Sequence, residues 1–468
     1  MKKNNLFKTF IGFAIGPLGA ALINFLTIPM ITWIISPDEF GKTSLFLLMQ
    51  TLAASFIFLG MDHSFVREYN NHSNKKELLL NALFFPFFLS MLFCLLLIIF
   101  AINLESFFNE ESSIVILCFA IWLPFVTIER FLLLNIRMEE KGFLYSLFNI
   151  LTKFTIMLLT LVFLIFIAES YLMVIVASVI GQIIIDIVLI AYCKKSIEFR
   201  IKNISKASLK KMFKFGYPFI PTALIMWLLN STDRLFLERF TSYENLGIYF
   251  AALKIIGVLT IFQNIFATFW LPVAYKWRKE NVSNHEFDKV SKIIALIMSI
   301  VFILVLLFKE VLVSILSEEY SKALIIIPFL LLYPIMYTMS ETTSLGISFF
   351  RKTKYNIWIS AFLVLINITL NWFLIPLFNI LGASIALGVT YVLYFWVRTL
   401  VSRKLWFEFE LRYYIMITIM LVIIASGNVV LNEKATVFNL FFLLLICVYN
   451  YKIFIAFLTK LKLRLIKV

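Results

Sequence analysis

The sequence predicts an all-α integral membrane protein of about 14 transmembrane helices, arranged as two pseudo-repeated six-helix bundles plus two C-terminal helices. Of its 468 residues 62% are hydrophobic and only 15% charged, with a mean hydropathy of +0.95, which no ordinary soluble chain of this length shows. The apolar residues fall in repeated runs of roughly 20, the length that crosses a bilayer as a helix. A membrane β-barrel would instead show short alternating strands.

The runs lie near 10–35, 43–66, 78–102, 113–134, 143–168 and 171–193, then near 215–238, 247–273, 290–308, 324–350, 355–377, 382–401, 413–431 and 436–458. The first follows Lys2, Lys3 and Lys8 and is too long, with no small-residue cleavage site, for a signal peptide, so it reads as an uncleaved helix. With the N-terminus in the cytoplasm, 34 of the 42 Lys and Arg fall on the inner side, including the group Arg398–Arg412. Five fall outside (Lys42, Arg239, Lys309, Lys322, Lys434) and three within helices (Lys153, Arg234, Lys254). This asymmetry places both termini in the cytoplasm. The net charge of +15 then reflects topology and attraction to anionic lipid headgroups, with no nucleic-acid partner. Cys94, Cys118, Cys193 and Cys447 sit in or at the ends of runs without metal-ligand spacing, so no metal site and no cofactor are expected. No nucleotide-binding motif is visible.

In the first run Pro29 removes a mid-membrane donor and is expected to bend the helix, with Asn24 and Thr27 beside the bend. This reads either as a gating helix beside a lumen or as a static kink. The second run ends in L-G-M-D-H-S-F-V-R-E-Y (59–69), where Asp62 and Arg67 are expected to pair and His63 to mark the membrane edge. The fifth carries Asn149, Thr152, Lys153 and Thr160; Lys153 lies roughly 15 Å from the cytoplasmic end at the helical rise. It either pairs with Asp186 of the sixth run or faces a lumen. The connection 194–214 holds eight cations against one acid, Glu198. It is read as a basic cytoplasmic linker between a bundle at 1–193 and one at 215–404, with two added helices at 405–468. S-P-D-E-F-G (36–41) and S-Y-E-N-L-G (242–247) recur at corresponding places, as an internal repeat of a transporter would. The tenth run places Tyr333, Tyr337, Ser340, Glu341, Ser344 and Ser348 on one face. Glu341 there serves to counter a lumen cation, to satisfy tyrosine hydroxyls, or to couple a proton. The eleventh carries Asn356, Ser360, Asn367 and Asn371, and the last two read as lipid-facing additions with almost no internal polar residues.

The seventh and eighth runs organise the chain. A charge at bilayer depth costs several kcal/mol, so Asp233, Arg234, Glu238 and Lys254 must meet partners or water. Trp227, Asn230, Ser231, Arg234 and Glu238 share one helical face, as do Lys254, Gly257, Ile261, Asn264 and Thr268. Arg234 and Lys254 lie at similar depth, roughly 6–11 Å from the outer ends of their helices. Glu238, one turn outward, is the expected ion-pair partner if Arg234 is structural.

N-x-x-D-R followed by L-G-I-Y-x-x-A-x-K (230–254) resembles the seventh and eighth helices of bacterial O-unit flippases. This is the polysaccharide-biosynthesis branch of the superfamily that also holds the multidrug and toxic-compound exporters. The opening G-A-A-L-I-N-F-L-T-I-P-M-I-T-W-I-I-S-P-D-E-F-G-K, the segment 59–69 and L-I-P-L-F-N-I-L-G-A-S-I-A-L (374–387) resemble it too. The resemblance implies a non-enzymatic transporter in the bacterial cytoplasmic membrane. Its implied cargo is undecaprenyl-pyrophosphate-linked oligosaccharide, an O-antigen or capsule repeat unit, carried from the inner to the outer leaflet by alternating access. Proton or sodium coupling and contact with polysaccharide polymerase or assembly proteins would accompany that role. Arg234, Lys254 and Lys153 would then attract pyrophosphate or acidic sugars, with Asn230, Asn264 and Glu341 in the lumen and Pro29 and Asn24 at the gate. Trp227 and Trp270 either stack on sugars or pack. A multidrug-type, cation-coupled exporter is the alternative, disfavoured by the basic helices. A membrane glycosyltransferase, polymerase or ligase is disfavoured because no long extramembrane loop carries catalytic acids.

Overall fold

The computed structural model describes residues 3–103, 110–194, 204–352, 354–431 and 434–451. The linker residues 195–203 and the basic tail from 452 onward lie outside them. All regular structure among the described residues is helical, and each of the fourteen apolar runs falls on helix there, residues 452–458 of the last run lying outside the described residues. Twelve described stretches are long and apolar enough to cross a membrane. One of these, Lys354–Leu405, is two helices, and the apolar helix Ala435–Tyr449 is shorter, at 15 residues. The chain divides into two compact units, Met1–Ser231 and Thr232–Val468.

Unit 1 comprises α1 (Lys3–Thr32), α2 (Pro37–Ile57), α3 (Met61–Glu68), α4 (Lys75–Asn103), α5 (Glu110–Met138), α6 (Gly142–Phe166), α7 (Tyr171–Cys193), α8 (Lys206–Gly216) and the first part of α9 (Phe219–Phe240). Its main packings are α1 on α6, α4 on α5, and α7 on both α5 and α6. Close approach of α1 to α6 depends on small residues: a Cβ on Gly16 would stand 2.5 Å from the Ser146 backbone, and the Gly16 N–H donates to Ser146 Oγ at 2.8 Å. α1 is helical through Pro29 to Thr32.

The second run is not one helix. Leu59 (φ 52°) and Gly60 (φ 67°) turn the chain left-handed, ending α2 and starting α3. α3 then docks α8. Ser64 Oγ donates to the Met212 carbonyl at 2.7 Å, Lys211 pairs with Glu68 at 2.6 Å, and Leu209 and Met212 bury beside Met61 and Phe65. Asp62 does not pair with Arg67. It accepts from Arg130 of α5 at 2.7 Å, because α3's turn faces α5, while Arg67 lies over Phe215. His63 stacks on Phe219.

Unit 2 contains the rest of α9, then α10 (Tyr243–Lys279), α11 (Asn284–Leu307), α12 (Lys309–Ser314), α13 (Ala323–Leu330), α14 (Leu332–Thr343), α15 (Leu345–Phe349), α16 (Lys354–Leu405), α17 (Leu411–Leu431) and α18 (Ala435–Tyr449). The tenth run is thus three short helices. α16 reverses at Asn379 (φ 50°, ψ −129°), so that Asn367 of its first half reaches Thr390 of its second at 3.1 Å. The two repeated hexapeptides have one local role. Ser36 accepts from the Glu39 N–H and Ser242 from the Asn245 N–H, so each caps the helix that follows, α2 and α10.

The last two helices carry more internal polarity than the sequence reading allowed. Asn428 of α17 and Asn439 of α18 are buried and exchange hydrogen bonds at 2.6 and 3.1 Å. Tyr414 donates to Ser291 of α11 at 2.7 Å, and Ser291 in turn meets Thr342. These contacts fasten α17 and α18 to the unit, which is why their amides and hydroxyls point inward.

Candidate functional site

The polar face of α10 is an open face of that helix in unit 2. Asn264 and Thr268 are exposed, Lys254 and Ile261 partly so, and a Cβ on Gly257 would meet nothing within 4 Å. The opposite face, with Ile255, Ile256, Gln263 and Trp270, is buried. Trp270 stacks on Phe266 and meets Trp277 and Phe287 edge-on, so it packs the unit and has no free ring face for a sugar. The Asn264 carbonyl is used locally, accepting from Thr268.

Phe250, one helical turn before Lys254, gathers the two cations. The Lys254 Nζ lies 5.0 Å and the Arg234 guanidinium 6.0 Å from the centre of its ring. The electron-rich face of the ring attracts both and keeps them at one level of the helix pair. Glu238, by contrast, is exposed and makes no ion pair among the described residues. The expected Arg234–Glu238 pair does not form, because Arg234 is drawn to the α10 side of α9 and Glu238 is not.

Asp233, next in chain to Arg234, is buried and accepts a hydrogen bond from the Tyr249 hydroxyl. Its other oxygen, Oδ1, has no hydrogen-bond partner, and neither has the buried Oδ1 of Asn371. Asn371 donates to Asn367, whose own amide reaches Thr390. Buried oxygens left unpaired in this way are costly to the fold. Among the described residues no cluster of three or more His, Cys, Asp or Glu is placed to hold a metal ion.

Glu341 sits at the C-terminal end of α14 and has a partner the sequence reading placed in a cytoplasmic loop. Arg398 is only 9% exposed; it turns inward from the second half of α16. Its Nη1 donates to Glu341 Oε1 at 2.9 Å and to Ser340 Oγ at 2.7 Å. The guanidinium also lies 5.0 Å from the Tyr394 ring and 5.9 Å from that of Tyr337. The available signal was the unpaired Glu341 in an apolar run, which requires a cation somewhere. Sequence alone does not say which one.

Asn230, Lys153, Asn24 and Pro29 belong to unit 1. Asn230 is exposed, with its amide donating to the Met226 carbonyl. On the same face of α9, Trp227 Nε1 donates to Thr51 of α2 at 3.0 Å. Asn24 is exposed and Pro29 partly buried. Lys153 forms no ion pair with Asp186. Gln182 takes the place nearest that acid, its amide donating to both carboxylate oxygens at 3.1 and 3.3 Å. Lys153 instead stands within electrostatic reach of both Asp186 and Glu129 of α5. The sequence reading missed Glu129 and Gln182, which lie one helical turn or more from any quoted motif.

A family model described as polysaccharide biosynthesis protein matches residues 6–277. The fold is similar to that of the lipid II flippase MurJ in an inward closed conformation, with a TM-score of 0.71 at 14% identity, covering 96% of this chain and 100% of that one. It is also similar to the Vibrio cholerae MATE transporter VcmN (TM-score 0.59, 13% identity, 86% and 96% covered). A MOP superfamily transporter from Pyrococcus furiosus matches at a TM-score of 0.53 and 15% identity, with 84% and 93% covered. These likenesses concern the fold. No curated protein sequence matches as a relative.

Proposed function

Starting from the fact that this chain belongs to the polysaccharide biosynthesis protein family, we propose that it flips a lipid-linked oligosaccharide across the bacterial cytoplasmic membrane. The cargo is an undecaprenyl-pyrophosphate-linked O-antigen or capsule repeat unit, moved from the cytoplasmic to the outer leaflet by alternating access. The single observation that carries this reading is the pair Arg234 and Lys254, held against Phe250 at membrane depth. Two adjacent cations in low dielectric attract a pyrophosphate by charge-assisted hydrogen bonds, while the prenyl tail stays in the lipid. The same pair disfavours a multidrug-type exporter of cationic compounds, which it would repel.

In this reading both termini are cytoplasmic, bundles 1–193 and 215–404 flank the linker 194–214, and residues 405–468 add two helices. Asn264 and Glu341 supply further polar contacts within unit 2, and Asn230 and Lys153 within unit 1. Asn24 and Pro29 form the gate. Coupling to a proton or sodium gradient would act through Asp233, whose Oδ1 is unpartnered. The fold likeness to a lipid II flippase supports a lipid-linked cargo, and a polysaccharide polymerase or other assembly protein is the partner that would consume the product.

Deleting the gene in a strain without a second flippase tests the assignment. Lipid-linked glycan should accumulate on the cytoplasmic leaflet and surface polysaccharide disappear. Unchanged surface glycan would refute it.

A further inference from the structure

The face of α14 that carries Tyr333, Tyr337 and Glu341 has unfinished chemistry. The three residues follow i, i+4, i+8, so they stand in one row, and each is partly exposed although the helix is otherwise buried. Arg398 satisfies one oxygen of Glu341. The other oxygen has no hydrogen-bond partner among the described residues, and neither has the Tyr333 hydroxyl. Accessible acceptors and donors at bilayer depth are costly unless water or a ligand meets them.

The aromatic part of this face is built rather than incidental. Tyr333 lies 4.4 Å from Tyr391, and Tyr337 stacks on Tyr394 at 5.5 Å with the rings 12° from parallel. Tyr391 and Tyr394 are buried and back the two outer rings, while Arg398 braces Tyr337 and Tyr394 from the side. The outer rings are therefore held in place, and each stays partly exposed.

Charge decides what that occupant is. Arg398 and Glu341 neutralise each other at 2.9 Å, so this face offers no net charge to a phosphate. What it offers is a flat aromatic surface, a carboxylate oxygen and a phenolic hydroxyl in a row about 12 Å long at the helical rise. A polyhydroxylated ring with apolar faces fits all three: C–H groups lie on the tyrosines and hydroxyls donate to Glu341.

We infer that Tyr333, Tyr337 and Glu341 form a subsite for uncharged sugar residues of the cargo, separate in chemistry from the cations at Phe250 that take its pyrophosphate. This rests on the flippase reading above. The two cation and sugar sites then divide the headgroup, and the substrate class narrows to glycans whose residues at this position are neutral.

The test uses purified full-length protein and two probes: bare undecaprenyl pyrophosphate, and the undecaprenyl-pyrophosphate-linked oligosaccharide extracted from a strain lacking this transporter. The readout is the ratio of their Kd values. Wild type should favour the glycan-bearing lipid by about tenfold, the size of one or two added polar contacts. Tyr337→Leu and the isosteric Tyr333→Phe should move the ratio toward one, and Tyr337→Phe should keep it. Arg234→Ala and Lys254→Ala should weaken both probes and leave the ratio in place. A wild-type ratio of one, or a wild-type ratio retained in both Tyr337→Leu and Tyr333→Phe, overturns the subsite while leaving the flippase reading intact. Failure of wild type to bind either lipid refutes the flippase reading itself, and the subsite with it.

Discussion

Gly60→Ala should undock α8 from α3 within unit 1. Gly60 has φ +67°, and a Cβ placed on it would stand 2.1 Å from the Gly216 carbonyl oxygen at the end of α8. A left-handed backbone costs an ordinary L residue roughly 1–2 kcal/mol. Forcing an extra methyl into a filled contact adds about 1–3 kcal/mol, and the obstacle here is backbone rather than a flexible side-chain end. The docking of α8 on α3 should lose about 2–5 kcal/mol in all, enough to disrupt the Ser64–Met212 hydrogen bond and the burial of Leu209 and Met212. Thermal aggregation of detergent-purified protein, followed by size-exclusion chromatography, measures this. Gly257→Ala is the matched control: its Cβ meets nothing within 4 Å, and Ala in a helix interior gains about 0.5–1 kcal/mol over Gly. Gly60→Ala should melt several degrees below wild type and Gly257→Ala at or slightly above it. Equal melting of the two variants would refute the claim that the Gly60–Gly216 approach holds α8.

Three further outcomes are expected. Glu341→Ala should cost about 3–5 kcal/mol by stranding the buried Arg398 and Arg398→Ala less, since Glu341 is partly exposed, and Arg398→Met with Glu341→Leu should recover most of the loss; additive losses in a double-mutant cycle would contradict the pairing. Arg234→Ala and Lys254→Ala should abolish translocation in proteoliposomes at normal abundance, and adding Glu238→Ala should not restore it, since Glu238 makes no ion pair; rescue would assign Arg234 a structural role. Lys309, on the short helix α12, is buried with its ammonium unpartnered, and burial holds its pKa below the ordinary lysine value. A lysine depressed in the folded state binds more protons when unfolded. Stability should therefore rise as the pH climbs from below the folded pKa toward the ordinary lysine value, and Lys309→Met should raise the melting temperature at neutral pH and flatten that dependence; unchanged melting would show the charge to be solvated.

Much of the candidate site was legible because charge in an apolar run is conspicuous. Arg234 and Lys254 stand out in sequence on that ground alone, and helical spacing correctly put Lys254, Gly257 and Asn264 on one face. Their convergence on Phe250 was not legible, since an apolar aromatic in an apolar run carries no signal. Arg398 was hidden for a different reason. At the end of a run, an inward guanidinium and a cytoplasmic one look alike, and only the packing of α14 on α16 distinguishes them. Asp62 shows the converse error, since the nearest opposite charge in sequence is Arg67, and for Asp186 the sequence left a pair with Lys153 as one of two alternatives. The turns of the fold offered Arg130 and Gln182 first.

By itself the sequence determined the helical membrane character and the positions of the apolar runs, and the structure adds that the caps at Ser36 and Ser242 are equally local. These follow from properties local to one segment: hydropathy over some 20 residues, and a side chain reaching its own helix N-terminus. Tertiary structure alone decided where helices break and which polar groups meet. The left-handed turn at Leu59–Gly60, the reversal at Asn379, the Asn428–Asn439 exchange and the Arg398–Glu341 pair each join groups on different segments or depend on what packs beside them. In lipid a buried polar group without a partner is costly. Which partner it finds depends on the helices that surround it, and no window along the chain contains that information.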